Sequence, residues 1–451
     1  MSTHQQLATH TGVEAPEVLA AKVRQQFDAT PYPNLPPSLL VEFESNSLFI
    51  HNLVTAYYLR DQRVISSQGA TILDAGCGSG KNALALAVAN PGARIVGVDL
   101  SAKSVEMALE RLHCHGFTNC EFHQLALEDL PSTGMQFDYI NCDEVLSLVP
   151  NLAVGLQALR AVLAPQGILR ANVHSIYQRV NYYAAQEAFA LMGLLDDTPG
   201  ELEVSIARET MLALKNTVPL KKHTWSKQYE EMESLVLMNY LLQGDRGYTI
   251  PDLFAALRAN DLEFISMVEW RNWELLDLFS SPNELPAFWE MSLPELSTED
   301  RLAIYELMHP VNRLLDFWCG HPSTDLAPVP VAMWTRQDWQ DAMVHLHPQL
   351  KTDAVRQDLC QCIVQREGFC PSKHLSHAAV KDVLLESSLA AILLPLWEGA
   401  QPIAALVDRW QRIKPADPIT LAPIRYDQAF AEVTQFLTQL ENYLYVLIEH
   451  T

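Results

Sequence analysis

Leu73-Asp74-Ala75-Gly76-Cys77-Gly78-Ser79-Gly80 is the stretch on which the fold turns. The apolar run Thr71-Ile72-Leu73-Asp74 reads as a short strand that stops at glycines, and Asn82 to Ala89 follows as a helix. The same rhythm continues outward. Ala93 to Val98 reads as a second strand ending in Asp99, and Val105, Ala108, Leu109 and Leu112 mark a second helix. Cys120 to Gln124 and Phe137 to Cys142 read as the third and fourth strands. Leu152, Leu156, Leu159 and Leu163 mark a third helix, stopped by Pro165-Gln166-Gly167, and Ile168 to His174 reads as a fifth strand. Strands alternating with helices at this spacing predict right-handed β-α-β units around a parallel sheet.

The glycine stretch lies between a strand and a helix N-terminus. Glycines there allow a tight turn and close approach to a ligand, and the free N–H groups of the helix favour an anion. Asp99 ends the next strand, 19 residues after Gly80. A carboxylate at that place accepts hydrogen bonds from both hydroxyls of a ribose. The carboxyl edge of the sheet is therefore expected to hold a nucleoside-containing ligand. A phosphate-binding P-loop needs G-x-x-x-x-G-K-[ST]; here Gly80-Lys81 is followed by Asn82, and Ala75 stands where the first glycine belongs. A dinucleotide fingerprint needs G-x-G-x-x-G; here the third glycine comes one residue early and Lys81 follows it. A glycine turn without a ligand is the plain alternative, and the placement of Asp99 argues against it. The remaining class is S-adenosylmethionine (SAM), with Asp74 and the glycine loop at its amino-acid end.

Asp74 to Gly80, Gly97-Val98-Asp99-Leu100-Ser101 and Phe137-Asp138-Tyr139-Ile140 resemble, in order and spacing, the motifs of class I SAM-dependent methyltransferases across residues 70–174. The resemblance implies a Rossmann-like α/β sheet of the seven-stranded type. It implies that Asp74, Gly76, Cys77 and Gly78 line the methionine end, that Asp99 holds the ribose, and that Leu100 flanks the adenine. Ala126 and Leu127 would meet the adenine edge, and Cys142 would lie near the sulfonium through its backbone. Val23-Arg24-Gln25-Gln26-Phe27-Asp28 followed by Pro31-Tyr32-Pro33 is similar to a V-R-x-Q-Y-E-x-x-P-Y-P segment. That segment precedes this domain in a bacterial group often fused to tetratricopeptide repeats. Gly247 to Pro251 and Leu262 to Ile265 also look like that group. No internal repeat is present, so this chain would be a stand-alone member. The last ~115 residues, with Leu394 to Leu406, resemble faintly the helical accessory region of some bacterial protein-lysine methyltransferases.

The 451 residues, 49% of them apolar, suffice for two or three domains with cores of their own. Four segments are expected: residues 1–65, helical and Pro-rich, capping the ligand; 66–174, the SAM-binding core; 175–337, a helical insertion with the remaining sheet strands; and 338–451, a helical domain. Asn46 to Arg60 reads as a helix. In the third segment Thr249-Ile250-Pro251 starts a helix and Glu263 to Val268 reads as a strand. Residues 285–325 read as helical, and Val329 to Thr335 reads as a further strand. From Gln337 onward only helices are expected, the last carrying Phe430, Val433, Phe436, Leu440, Tyr443, Leu444 and Leu447 on one face.

Lys and Arg number 31 against 54 Asp and Glu, a net charge of −23. Such a field disfavours nucleic acid and anionic lipid and favours a basic or cationic partner. Neither a signal peptide nor a membrane span is read, and eight cysteines are too few for a disulfide scaffold, so the expected location is cytoplasmic with reduced thiols. The expected partner is a methyl acceptor, a protein side chain or a bulky metabolite, since large helical additions suit a shaped substrate. A non-catalytic SAM-sensing scaffold is the alternative of another class.

Candidate catalytic residues are Tyr32, whose ring face suits a sulfonium, the loop carboxylates Asp143 and Glu144, and His174 at the sheet edge. Asn141-Cys142-Asp143-Glu144 departs from the N-P-P-Y of amide and exocyclic-amine methyltransferases, and Ser147 stands where many small-molecule members carry a histidine. Tyr177, Tyr182 and Tyr183 read as packing for the insertion. Cys360, Cys362, Cys370 and His374, with His377 beyond, are spaced poorly for zinc, and Cys319-Gly320-His321 is poorer still, so no metal is expected.

Overall fold

The computed structural model describes residues 16–29, 32, 35–282, 284–323, 328–377, 379 and 381–450. Residues 1–15 and parts of the Pro31-Tyr32-Pro33 and Leu326–Pro330 stretches lie outside the described residues.

The central sheet has strands β1 (Thr71–Ala75), β2 (Arg94–Asp99), β3 (Cys120–Gln124), β4 (Phe137–Cys142), β5 (Leu163–Ser175), β6 (Gly247–Tyr248), β7 (Glu263–Met267) and β8 (Leu314–Gly320). Their order is β3-β2-β1-β4-β5-β8-β7, with the short β6 paired to the end of β5. The first five strands run parallel. β8 runs antiparallel between β5 and β7. Chain order reverses between β1 and β4, so the crevice at the carboxyl ends of those two strands is the place where such a sheet binds ligands.

Helices α1 (Pro16–Ala29), α2 (Ser45–His51) and α3 (Leu53–Asp61) precede the sheet; α4 (Lys81–Ala89), α5 (Ala102–Cys114) and α6 (Leu152–Val162) make its crossovers. The expected helix from Asn46 to Arg60 is broken at Asn52, whose side chain caps α3 through the Val54 N–H. This break lets the two helices serve two cores. Phe49, Val54 and Tyr58 pack into the C-terminal region, while Leu53, Ala56 and Tyr57 pack under the sheet with Ile72, Leu84 and Trp318.

The insertion after β5 is helical, with α7 (Ile176–Leu191) packed on a core of Phe189, Met211, Val236, Tyr240 and Leu241. Tyr182 joins the ring cluster there, 5.6 Å from Tyr240, as a packing residue.

Three expectations need correction. Leu314–Gly320 is a strand, not helix. Its run Leu-Leu-Asp-Phe-Trp-Cys-Gly is apolar on both faces, a pattern that periodicity cannot separate from a buried helix, and Leu315, Phe317, Trp318 and Cys319 are all fully buried in the sheet. Val329 to Thr335 is no strand; it holds a single 3-10 turn, Val331–Met333. The C-terminal region is helical but not only so: β9 (Ala342–Leu346), β10 (Gln401–Pro402) and β11 (Val446–His450) form an antiparallel sheet ordered β10-β9-β11. The long last helix runs over Tyr426–Glu441 and buries Phe430, Val433, Phe436 and Leu440 as expected. It then stops: Leu444 adopts a positive φ of 52°, and Leu447 enters the same core from β11. No helix among the described residues is long and apolar enough to cross a membrane, and all eight cysteines are free thiols.

Candidate active site

The turn after β1 passes through three left-handed residues, Gly76, Gly78 and Gly80 (φ 78°, 50° and 85°). The N–H groups of Gly76 and Cys77 donate to the Val98 carbonyl at 2.8 and 2.9 Å, which pins the loop across the end of β2. Asp99 is held by two backbone donors, Gly78 N–H to Oδ2 and Ser101 N–H to Oδ1, each at 2.9 Å. Burial raises its pKa, and those two hydrogen bonds work against the rise. The Leu125 N–H donates to the Asp99 carbonyl at 3.0 Å, which sets Ala126 and the buried Leu127 beside it. Leu100 is half-buried, and its carbonyl accepts from Gln124 at 3.1 Å.

Asp74 is the electrostatic anomaly of the site. Its side chain is 1% exposed. Oδ1 accepts from Asn141 Nδ2 at 2.8 Å, but Oδ2 has no partner among the described residues. Burial pushes its pKa up to about 7 against the pull of the Asn141 hydrogen bond. A buried carboxylate oxygen without a donor costs stability, and a cationic or N–H-bearing ligand group would satisfy it. The site thus offers one unfilled acceptor in the floor, a pinned carboxylate at the next strand end, and a glycine turn between them. Those features fit an amino-acid-bearing nucleoside.

Beneath Asp74 lies a buried polar chain that sequence reasoning missed. Asn141 Oδ1 accepts from Arg170 Nη1 at 2.7 Å. Arg170 also donates to both oxygens of Asp316, at 3.2 and 2.7 Å, and lies 3.5 Å from Asp143. Asp143 further accepts from Asn82 at 2.8 Å and Asn172 at 2.5 Å. Burial would raise its pKa, but Arg170 and Asn172 hold it below the usual carboxylate value. Asp143 therefore faces inward as a member of this network, and its oxygens are committed. Cys142 and Cys77 are fully enclosed, and burial pushes both thiols up, so neither geometry suits a nucleophile.

Glu144 points the other way. Its positive φ of 57° is unusual for a side chain of its size, and its N–H is fixed on Asn172 Oδ1 at 2.7 Å. Its carboxylate pairs with both terminal nitrogens of Arg313, at 2.5 and 3.0 Å, and both side chains stay 40% exposed. Arg313 Nη1 lies 3.3 Å from His174 Nε2, and His174 Nδ1 lies 2.6 Å from Asp245 Oδ1. The guanidinium can only donate, so Nε2 accepts and Nδ1–H donates to Asp245. Asp245 in turn takes Arg179 at 2.6 Å, and despite burial the His174 and Arg179 contacts hold it well below the carboxylate range. Partial burial raises the Tyr32 phenol, and Glu144 adds to the rise.

The structure therefore brings Glu144 and His174 together on Arg313, with Tyr32 close enough to feel the charges of Glu144 and Arg313 and its carbonyl on the Ser79 N–H of the glycine loop. Asp74 and Asp99 stand at the ends of β1 and β2 on either side of that loop in sequence, and Asp143 is turned inward. Arg170 left a signal, a charge inside the apolar run Ile168 to Val173, and so did Asp316. Arg313 and Asp245 left none, because only the tertiary fold joins them to β5.

The cysteine–histidine set of the C-terminal region is dispersed. His374 pairs with Asp358 at 2.7 Å, Cys370 with Ser372 at 3.2 Å, and His377 with the Val268 carbonyl at 3.2 Å, while Cys360 is exposed. Among the described residues no group of three ligating side chains is placed to hold a metal.

Residues 66–234 match the sequence profile of a methyltransferase domain. An uncharacterised protein of Synechococcus is 30% identical over 283 residues, which is 61% of this chain and 64% of that protein. A ubiquinone biosynthesis O-methyltransferase of Acinetobacter baumannii is 29% identical over 136 residues, 30% of this chain and 53% of that enzyme. The chain thus spans less than two thirds of these curated relatives. Among solved structures, PKMT2 from Rickettsia typhi in complex with AdoHcy superposes with a TM-score of 0.59 at 18% identity, covering 93% of this chain and 78% of that one. At that identity the likeness shows the Rossmann-like methyltransferase fold.

Proposed function

We propose that this protein is a SAM-dependent methyltransferase. The observation that carries the reading is the unsatisfied Asp74 oxygen set across a glycine turn from the doubly held Asp99, at the switch point of the sheet. SAM supplies a methyl group on a sulfonium, which passes to an acceptor by in-line displacement. Asp74 would take the amino group of its methionine part. Asp99 has lone pairs left for the ribose hydroxyls, and Leu100, Ala126 and Leu127 would border the adenine. The chain's own contribution to rate is proximity and orientation.

Tyr32, Glu144, Arg313 and His174 form the acceptor side. Glu144 is the carboxylate there that remains outside the buried network, so it is the group able to hold a cationic acceptor or take its proton. The chain's charge of −23 and the helical insertion beside this mouth support a protein side chain or bulky metabolite as acceptor. One observation favours the alternative of a SAM-binding scaffold: Asp143, Glu144 and His174 all have partners already. Turnover separates the two, because an enzyme releases S-adenosylhomocysteine (SAH) with some acceptor fraction and a scaffold with none. For the enzyme, Asp99→Ala is expected to raise KM for SAM roughly tenfold or more while kcat changes little, since the ribose contact binds cofactor in ground and transition state alike. An unchanged KM would remove Asp99 from the site.

A further inference from the structure

Arg111 on α5 is completely buried. Among the described residues its hydrogen-bond partners are three backbone carbonyls and no carboxylate: Nε donates to Ser79 at 2.8 Å, Nη2 to Leu35 at 2.8 Å and Nη1 to Pro36 at 3.4 Å. Burial lowers its pKa. A cation placed in the interior without a counter-charge is costly. What the arrangement achieves is the simultaneous fixing of three carbonyls, a task for the rigid guanidinium fork and not for an ammonium.

The contacts close a ring. The Ser79 N–H donates to the Tyr32 carbonyl at 3.1 Å. Both backbone groups of Ser79 are thus taken, one by the N-terminal stretch directly and the other by the arginine that grips that same stretch at Leu35 and Pro36. Two glycines make the ring possible. A Cβ on Gly78 would stand 2.5 Å from the Tyr32 oxygen, and one on Gly80 would stand 2.7 Å from the Cα of Ala108, the residue one turn before Arg111. The N–H just before that of Ser79 in this loop, that of Gly78, is the one that pins Asp99.

Resting on the methyltransferase reading, we propose that Arg111 is a positioning residue for the nucleoside site. It locks the peptide at Ser79 so that the Gly78 N–H stays on Asp99, and it ties Leu35 and Pro36 to the loop whose Ser79 N–H holds Tyr32. Three separate guanidinium nitrogens serve the three carbonyls, and the single nitrogen of a lysine does not reproduce that fork, so Arg111→Lys does not rescue. Hydrogen exchange of the Gly76–Gly80 amides in the ligand-free protein is expected to quicken roughly tenfold or more in Arg111→Lys, with β4 and β5 unchanged, and the SAH Kd is expected to rise about as much. Glycine at Leu35, Pro36 and Pro37 together should give a similar loss without touching the arginine. In that background Arg111→Lys should add less than about twofold, because the two act as one unit. Unaltered exchange in the loop, or losses that multiply, would overturn the assignment. The exchange measurement needs no cofactor. If SAH fails to bind the wild type the methyltransferase reading falls, and the exchange result still decides the role of Arg111.

Discussion

Arg170→Met is expected to cost about 3–5 kcal/mol of stability, the range for breaking a buried ion pair by removing one partner. Arg170 is 3% exposed and sits on β5 between β4 and β8. Its loss leaves Asp316 and Asp143 as largely buried carboxylates facing each other's charge, and it strips Asn141 of the donor that orients its amide toward Asp74. Asp316 already shows the strain, for burial pushes its pKa up to about 6 even with Arg170 beside it. Chemical denaturation should therefore show a much lower midpoint at neutral pH. The double variant Arg170→Met with Asp316→Leu should recover a large part of the loss, because an apolar pair of similar volume replaces a buried ion pair at little cost. A single variant as stable as wild type would show that the network is incidental to the sheet.

His347→Gln should have an effect that fades as pH falls. His347 follows β9 and is fully buried against Thr55 of α3. Its Nδ1 accepts from the Gln349 N–H at 3.2 Å, so Nε2 carries the proton and meets Thr55 Oγ1 at 3.0 Å, and that hydroxyl donates to the Phe49 carbonyl. A second proton would face a donor, and burial lowers the pKa from 6.5 to about 3. The folded pKa lies below the unfolded one, so the unfolded chain takes the proton first. This group's stabilisation is complete above pH 6.5 and is lost as pH falls toward about 3. Asp74 and Asp316, whose pKa values are raised, pull the other way, so the total stability is not the readout. The difference between wild type and His347→Gln is. The variant should be less stable by about 1–3 kcal/mol above pH 7 through lost hydrogen bonds. That gap should close by about 1.4 kcal/mol per pH unit between roughly pH 6 and 4. His51, lowered to about 4 by burial, and His377, 5.2 Å from the same Phe49 ring, remain in both proteins and cancel from the difference. A gap constant with pH would show that His347 is not held neutral by the docking of the C-terminal region on α2 and α3.

These two residues also mark where sequence reading stops. The five parallel strands, their crossovers and the residues of the glycine turn are local features; β1, β2 and β4, for example, are short apolar-rich runs that close at Gly76, Asp99 and Asp143. β8 escaped because Leu314–Gly320, apolar but for Asp316 and Gly320, carries no alternation, and β9 to β11 escaped because the short strands Ala342–Leu346 and Val446–His450 lie next to strongly helical neighbours. Asp74 and Asp99 were legible as chemistry from their spacing to glycines. The inward turn of Asp143 and the outward turn of Glu144 depend on Asn82, Arg170 and Asn172 from other elements, and the pairing of Arg313 with both Glu144 and His174 joins residues more than a hundred apart in the chain, so no local pattern announces them.

Calorimetric titration of SAH, with NAD as control, tests the central claim most directly. The account predicts one site of roughly micromolar affinity, about −8 kcal/mol, and no NAD binding. Asp74 has its pKa raised to about 7, and an ammonium brought to its free oxygen lowers that value. Binding at pH near 7 should therefore release a fraction of a proton, seen as an enthalpy that varies with buffer and lost in Asp74→Asn. Folded protein that binds no SAH, or binds NAD equally well, would contradict the account.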